Sequence, residues 1–244
     1  MLWRKILAVG EMWLIGFFLV SPLSAGTIVQ NFNNNSFNIK YFWLNNPPFP
    51  DPAKPLMVVS GNRLELTVPI NPTNGAAGLE NLSSYQLIGN FDIQFDFNLL
   101  IWPADNGVQA GIITPGNRGV SLSRVNTDFG QGAGEAYIAY FAAEQQPGHP
   151  DIVHVVPTSD SSGRLRLNRT GNTISAYSLQ NNVWQLIGAH TDAQYSGTPI
   201  QFYVGGHVND HSNSQITQVA FDNLQVTNVV FPSSLPPLGL LMDN

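Results

Sequence analysis

The sequence predicts an all-β protein made of two packed antiparallel sheets, and three observations support this fold class. Short alternating or apolar runs are separated by clusters of Gly, Asn, Pro and Asp, at spacings typical of a β-sandwich. No segment keeps the apolar period of an α-helix over three turns. The chain has 244 residues, of which 43% are hydrophobic. We therefore expect a single sandwich domain, because about 200 to 250 residues commonly form one such unit.

The first 25 residues have the three parts of a secretory signal peptide. Arg4 and Lys5 form a basic start, Met12–Val20 is an apolar stretch, and Ser21–Ala25 supplies small residues for cleavage. Glu11 interrupts the apolar region, which is left shorter than the roughly 20 apolar residues of a membrane span. We expect a secreted or periplasmic protein with no transmembrane span after cleavage. A retained N-terminal anchor is the alternative.

The region from Arg63 onward contains a series of predicted strands. In Phe91–Leu99, apolar residues alternate with Asp92, Gln94 and Asp96, which is the pattern of a half-buried strand. Arg164–Ile187 predicts a three-strand meander with turns that tolerate positive φ. The predicted strands are Arg63–Val68, Phe91–Leu99, Val108–Thr114, Gly119–Val125, Glu135–Phe141, Ile152–Val156, Gly163–Asn168, Thr173–Leu179, Val183–Ile187, Pro199–Gly205 and Gln215–Thr227.

The chain is thus divided into three parts. Residues 1–25 are the predicted signal peptide, residues 26–230 the sandwich domain, and residues 231–244 a flexible C-terminal tail. The tail is apolar and rich in proline, but it is far too short to span a membrane.

The composition limits the partners and the source of stability. The net charge is −6 and no Lys/Arg cluster is present, which argues against nucleic acid as a partner. Only 11% of the residues are charged, so neutral polar groups must cover the surface. An exported chain without cysteine has no disulfides, and its stability must come from core burial or a metal. This combination is typical of a bacterial exported protein.

Seven short motifs follow one another between residues 27 and 228: Asn31–Trp43, Gly61–Leu66, Gly89–Phe97, Gly107–Ile113, Val120–Val125, Leu165–Tyr177 and Phe221–Val226. Their order resembles the concanavalin A-like lectin/glucanase superfamily, in particular its laminin-G-like and uncharacterised bacterial jelly-roll branches. The resemblance implies an antiparallel two-sheet jelly-roll sandwich. It also implies a concave face that holds a glycan in many relatives. The fold alone does not determine function.

The resemblance supplies no catalytic residue. Glucanase members of the superfamily carry Glu-x-Asp-x-x-Glu on a central strand, and this string is absent here. Asp92 and Asp96 share one face of a strand that we expect at the outside of its sheet, where solvated carboxylates are ordinary. Glu135 and Glu144 approach one another only if the fold brings a strand and a loop together. His207 and His211 have a zinc-like spacing, but their segment reads as a hairpin tip.

Four side chains are candidate ligand contacts. Trp102 lies on a predicted loop, where an aromatic ring can stack on a sugar. Arg124, Tyr140 and His154 lie on the strands that the resemblance places in the concave sheet, and they offer hydrogen bonds to hydroxyl groups. For Trp102, packing in the core or at its rim is the alternative role. The resemblance assigns Trp43 and Trp184 to packing positions.

A structural calcium ion is the expected cofactor. Many jelly-roll modules hold one between the first and last strands, with oxygen ligands from a loop and an Asp. Asp222, together with Asn31 and Asn33, fits this pattern, and a solvent-facing Asp222 is the alternative.

Three functions remain open from the sequence. The first is a non-catalytic module that binds carbohydrate or a cell-surface polymer on its concave face. The second is a glycoside-active enzyme of the glucanase type with an unrecognised carboxylate pair. The third is a structural or adhesive surface protein without a small ligand.

Overall fold

Two antiparallel sheets pack face to face in the computed structural model of the protein. The structure describes residues 25–46, 51–81, 87–114, 119–126, 134–142, 151–195, 200–208 and 213–230. Fifteen strands and two short 3-10 turns are found within these ranges. The predicted jelly-roll sandwich is therefore confirmed. Residues 1–24 of the predicted signal peptide and the predicted C-terminal tail lie outside the described residues, as do Glu144 and His211, whereas Ala25 begins the first strand. No described helix is long and apolar enough to cross a membrane.

The first sheet has eight strands in the described part of the chain. Its order is β13-β12-β11-β6-β15-β4-β3, and β1 pairs with the second half of β15 beside β4. Its strands are β1 (Ala25–Gln30), β3 (Leu56–Ser60), β4 (Arg63–Val68), β6 (Phe91–Ile101), β11 (Ser162–Thr170), β12 (Thr173–Gln180), β13 (Val183–Thr191) and β15 (Thr217–Val230).

The second sheet has seven described strands, in the order β10-β9-β8-β7-β14-β5-β2. The two 3-10 turns, at Asn33–Asn35 and Ala193–Tyr195, lie in connections. The strands of this sheet are β2 (Phe42–Asn45), β5 (Gly75–Asn81), β7 (Val108–Ile113), β8 (Val120–Asn126), β9 (Glu135–Phe141), β10 (Ile152–Pro157) and β14 (Tyr203–Val208).

The core lies between the sheets and follows the alternation of the sequence. On β6, the odd-numbered residues from Phe91 to Phe97 are buried, while Asp92, Gln94 and Asp96 face outward. The expected position of this strand was wrong, because β6 lies in the middle of its sheet between β11 and β15. Its polar face is nevertheless the outside of the sandwich. The carboxylates of Asp92 and Asp96 pair there with Arg166 and Arg164.

The boundaries of the predicted strands agree with the structure for β4 and β9, and the meander over β11–β13 is confirmed. Asn181 and Asn182 adopt positive φ in its second turn, as the turn residues predict. The strand predicted from Pro199 begins later, at Tyr203. The sequence reading missed four strands altogether: β1, β2, β3 and β5.

Candidate functional site

The outer face of the seven-stranded sheet is the candidate site, and we call it the groove face. Phe42, Leu79, Ile112 and Leu122 of this sheet point into the core, so their neighbours along each strand point away from it. Strand pairing aligns the outward residues in rows across the sheet. The aromatic row is Trp43, Glu80, Tyr203, Ile113, Ser121 and Tyr140; the glycine row beside it is Asn45, Gly78, Gly205, Gly111, Ser123 and Ile138.

At the glycine row, the bottom of the groove is formed by backbone atoms of closely spaced strands. A Cβ atom on Gly111 would lie 2.0 Å from the carbonyl oxygen of Leu122, and one on Gly205 would lie 2.2 Å from that of Ala77. Neither distance is possible for a real Cβ, so only glycine fits while the strands keep this arrangement. The backbones of the paired strands therefore lie too close together at these two positions for any side chain.

The ring of Tyr203 lies over Gly78, the remaining glycine of this row. A Cβ on Gly78 would be 2.7 Å from Cδ2 of Tyr203, which means that the ring occupies the space above the bare backbone. Burial and the nearby Glu80 charge raise the pKa of Tyr203 to about 12. Its hydroxyl therefore stays protonated at neutral pH and can donate a hydrogen bond.

An open cavity of about 230 Å³ lies between the rings of Tyr203 and Tyr140. Ile113 is the apolar residue between them in the aromatic row. The cavity is lined by Gln109, Ile113, Thr114, Gly119, Val120, Ser121, Tyr140, Tyr203 and His207. Apolar area bordered by a few polar groups is the general composition of a small-ligand site.

Polar groups border this cavity on both sides. The hydroxyl of Tyr140 donates a 2.5 Å hydrogen bond to the Asp151 carboxylate, and burial together with Asp151 raises the pKa of Tyr140 to about 12. His207 and Gln109 are paired across β14 and β7. Burial lowers the pKa of His207, so its imidazole is neutral at pH 7 and offers one donor and one acceptor.

Ser123 lies in the glycine row at the edge of the groove. Its side chain is only 1% exposed, and its Oγ has no hydrogen-bond partner among the described residues. A buried hydroxyl without a partner is unfavourable, and such groups are uncommon in native proteins.

The four predicted ligand contacts do not come together. Tyr140 lies on the groove face, as expected. Arg124 and His154 are on strands of this sheet but point to its inner side, where Arg124 pairs with Tyr137 and His154 with Ala139. The ring of His154 packs edge-on against Phe141 at 6.0 Å.

Arg124 is 1% exposed and holds one end of the sandwich together. It donates hydrogen bonds to the carbonyl oxygens of Val125 and Asp160 and to the Glu135 carboxylate. Its guanidinium lies 5.7 Å from the ring centre of Trp102, and Trp102 packs against the core. These placements correct the expectation of a shared concave surface, because the strand alternation turns Arg124 and His154 inward. Trp43, expected to pack, is instead 46% exposed on the groove face.

The proposed calcium ligands lie at neighbouring points of the first sheet. Gln30 pairs with Leu224, so Asn31 follows β1 beside Asn223 and Asp222. Oδ1 of Asp222 accepts a 2.7 Å hydrogen bond from the backbone amide of Asn223, and Oδ1 of Asn31 accepts one from Asn33. The described part of the chain contains no group of three His, Asp or Glu residues suited to a metal. The calcium site stays a prediction based on one carboxylate and two amide side chains.

A hydrolytic carboxylate pair is not formed by the described residues of the groove face. Glu80 lies on β5, and Tyr140, whose hydroxyl donates a hydrogen bond to Asp151, lies on β9. These two strands are separated by four strand spacings, or about 19 Å along the sheet. Glycoside hydrolysis uses two carboxyl groups about 5 to 10 Å apart. Glu80 and Asp151 are therefore too distant from one another to act as such a pair.

Sequence reasoning missed Gly78 and Glu80 because it missed β5, and it missed Tyr203 because the order of the predicted strands in the sheet does not follow from the sequence. Glu80 and Gly78 lie in the run Gly75–Asn81, whose glycines and alanines disfavour a strand assignment. One signal was available: Gly78, Gly111 and Gly205 each interrupt an otherwise apolar run. Glycine inside a strand marks a close approach of backbones.

Comparisons with known proteins show the fold and leave the family open. No family model matches the sequence, and no curated protein matches it. Solved structures match it over most of its length at very low sequence identity. A glycosyl hydrolase family protein from Mycobacterium fortuitum aligns with a TM-score of 0.59 at 10% identity, covering 82% of this chain and 98% of that one.

Two further structures extend this likeness to different kinds of protein. The CBM2 module of the evolved Dit protein of Lactobacillus casei BL23 phage J-1 has a TM-score of 0.57 and 8% identity, covering 85% of this chain and 98% of the module. A prokaryotic β-1,3-1,4-glucanase (lichenase) from a mouse hindgut metagenome has a TM-score of 0.56 and 6% identity, covering 83% and 98%. At these identities the similarity concerns the jelly-roll fold alone.

Proposed function

We propose that this protein is a non-catalytic module that binds carbohydrate on the groove face. The observation that carries the proposal is the cavity between Tyr140 and Tyr203, with Ile113 between the two rings and with Gln109 and His207 at its side. Tyrosine rings provide flat apolar surfaces for the faces of sugar rings, and neutral amide, imidazole and hydroxyl groups match sugar hydroxyls. Both chemical requirements of a glycan site are met within one groove.

The solved structures of similar fold support this class of ligand in a general way, since they include a carbohydrate-binding module and glycoside hydrolases. Binding through stacking and neutral hydrogen bonds depends little on ionic strength. We therefore expect affinity for a neutral glycan to be nearly constant between low and moderate salt.

A glycan array probed with the full-length chain tests the proposal. Bound glycans are then titrated against Tyr203→Ala and Tyr140→Ala, with Tyr177→Ala as the matched control, because Tyr177 is a half-buried tyrosine on the outer face of the other sheet. We expect each groove variant to lose about tenfold or more in affinity, the usual effect of truncating a central aromatic contact, and Tyr177→Ala to bind as the unaltered protein does.

Two results would decide against this function. Absence of binding to any glycan at high protein concentration would favour a structural or adhesive role. Release of reducing ends from a bound glucan, abolished in Glu80→Gln, would establish an enzyme instead.

We further propose that the protein works outside the cytoplasm of a bacterium, after removal of residues 1–25. The basic start, the apolar stretch and the absence of cysteine support this localisation. The mass of the protein recovered from periplasm or medium tests it, since cleavage after Ala25 leaves Gly26 as the first residue.

A further inference from the structure

Glu80 is a carboxylate placed between two aromatic side chains at one end of the groove. Cross-strand pairing sets Trp43 of β2 on one side of it and Tyr203 of β14 on the other. Directly paired residues have Cβ atoms about 4.5 to 5.5 Å apart, so the carboxylate and both rings border one small surface. Trp43 is 46% exposed, which leaves its ring free to contact a ligand.

The charge of Glu80 is not neutralised by the described part of the chain. Its Oε2 accepts a 2.9 Å hydrogen bond from Nδ2 of Asn45, and no lysine or arginine in the described ranges forms an ion pair with it. Four other strand carboxylates differ in this respect. The carboxylates that pair with an arginine are Glu65, Asp92, Asp96 and Glu135.

The rest of the groove face has no counter-charge either. The outward residues of β5, β14, β7, β8 and β9 include no lysine or arginine. His207 is neutral at pH 7 because burial lowers its pKa. The described groove surface therefore carries carboxylates and no lysine or arginine: Asp151 accepts the hydrogen bond of Tyr140 at one end, and Glu80 lies at the other end, flanked by aromatic rings. Such a surface attracts a cation whose body can stack on a ring, and it repels carboxylated or sulfated sugars.

We infer that the glycan bound in the groove carries a primary amino group, as in a glucosamine unit, and that Glu80 pairs with its ammonium. The sugar ring would stack on Trp43 or Tyr203 while the ammonium at its edge meets the carboxylate. This inference rests on the proposed function and specifies its substrate class. It requires no residue beyond those of the aromatic row and Asn45.

Three oligosaccharides with one backbone test this inference. The β-1,4-linked hexamers of glucose, N-acetylglucosamine and glucosamine differ only in the substituent at C2. Their affinities are measured by calorimetry with the full-length chain at mildly acidic pH, where the free amine is charged. We expect the glucosamine hexamer to bind about 5- to 10-fold more tightly than the glucose hexamer, the size of one partly exposed ion pair. We expect added salt to reduce this preference.

Glu80→Gln keeps the shape and removes the charge. In this variant we expect the three hexamers to bind equally, with the glucose hexamer within about twofold of its original affinity. Glu65→Gln is the matched control, because Glu65 lies on a strand of the other sheet and pairs with Arg63; the preference should persist there. Trp43→Ala should weaken all three hexamers and so separate stacking from charge.

The possible failures distinguish the two proposals. Equal binding of the three hexamers by the unaltered protein, or a preference that survives in Glu80→Gln, would overturn the inference and leave carbohydrate binding in place. If none of the three hexamers binds while another neutral glycan does, the inference is also overturned and carbohydrate binding still stands. If no glycan binds, both proposals fail. Binding of hexalysine as tight as that of the glucosamine hexamer, and unaffected by Trp43→Ala, would show charge recognition without a sugar and would also overturn the inference.

Discussion

Gly205→Ala is the substitution that tests the shape of the groove floor most directly. The added Cβ would lie 2.2 Å from the carbonyl oxygen of Ala77 and 2.5 Å from Cα of Gly78. Both contacts are with backbone atoms, so no side-chain rotation can relieve them. The paired strands β5 and β14 must separate, and their ladder between Gly205 and Gly78 must distort.

The expected loss of stability follows from two opposing effects. Overpacking within a tightly packed region costs about 1 to 3 kcal/mol, while replacing glycine restricts the unfolded chain and returns about 0.4 to 1 kcal/mol. The net loss is then about 1 to 2 kcal/mol. For a domain of this size, each kcal/mol corresponds to about 2 to 4 °C in Tm. We therefore expect the Tm to fall by about 2 to 8 °C.

Thermal unfolding followed by circular dichroism measures this change, with Gly75→Ala as the control on the same strand pair. The nearest atom to a Cβ on Gly75 is Cδ of the Pro55 side chain, at 3.2 Å, so a small adjustment is enough there. A Gly205→Ala protein as stable as the unaltered one, or less affected than Gly75→Ala, would refute the reasoning that backbone crowding requires glycine at this position.

Three further predictions concern other parts of the molecule. The two tyrosines of the groove lose their protons only at high pH, because the pKa values of Tyr203 and Tyr140 are raised to about 12. Because these folded-state values lie above the unfolded value near 10, their contribution to stability is complete below about pH 10 and is lost as the pH rises toward 12. Tyrosinate absorbance should show this, and in Glu80→Gln the pKa of Tyr203 should be lower. Arg124→Met removes the hydrogen bonds that the buried guanidinium donates to the carbonyl oxygens of Val125 and Asp160, so unfolding by denaturant should show a loss of about 2 to 4 kcal/mol. The exposed-pair variant Arg63→Met should lose about 1 kcal/mol or less, and equal losses would contradict the structural role given to Arg124. Calcium should raise the Tm if Asp222, Asn31 and Asn33 hold the ion, by mass action on the folded state, and Asp222→Ala should abolish the increase. A Tm that is the same with calcium and with chelator would remove the cofactor prediction.

The outward faces of the two sheets differ in chemistry, and this difference bears on where a ligand binds. On the eight-stranded sheet, Arg166 is paired with Asp92 and lies over the rings of Tyr177 and Trp184, about 5.5 Å from their centres. The rings of Tyr177 and Trp184 on that face are thus already in contact with the guanidinium of Arg166. On the groove face, the carboxylate of Glu80 and the ring of Trp43 have no such internal partner in the described structure, which is why the proposals concern that face.

The sequence alone determined the fold class, most strand positions and the face of each well-patterned strand. Alternation is a local property: Phe91 and Asp92 must point to opposite sides whatever their neighbours are. By the same reasoning, Leu165 and Leu167 point into the core while Arg164 and Arg166 point outward, and the structure confirms this. It fails for β5, because the glycines and alanines of Gly75–Asn81 give no hydrophobic period.

Only the tertiary structure decided which residues form the site. Glu80, Tyr203 and Tyr140 are distant in sequence and share a row because β5, β14, β7, β8 and β9 are neighbours in one sheet. Strand order depends on contacts between segments far apart along the chain, which no local pattern encodes. The sheet of β8 was predicted correctly, but the face of Arg124 was not, because the structure decides which side of that strand packs against the core. A single-residue step along β8 separates the buried Arg124 from the groove-facing Ser123.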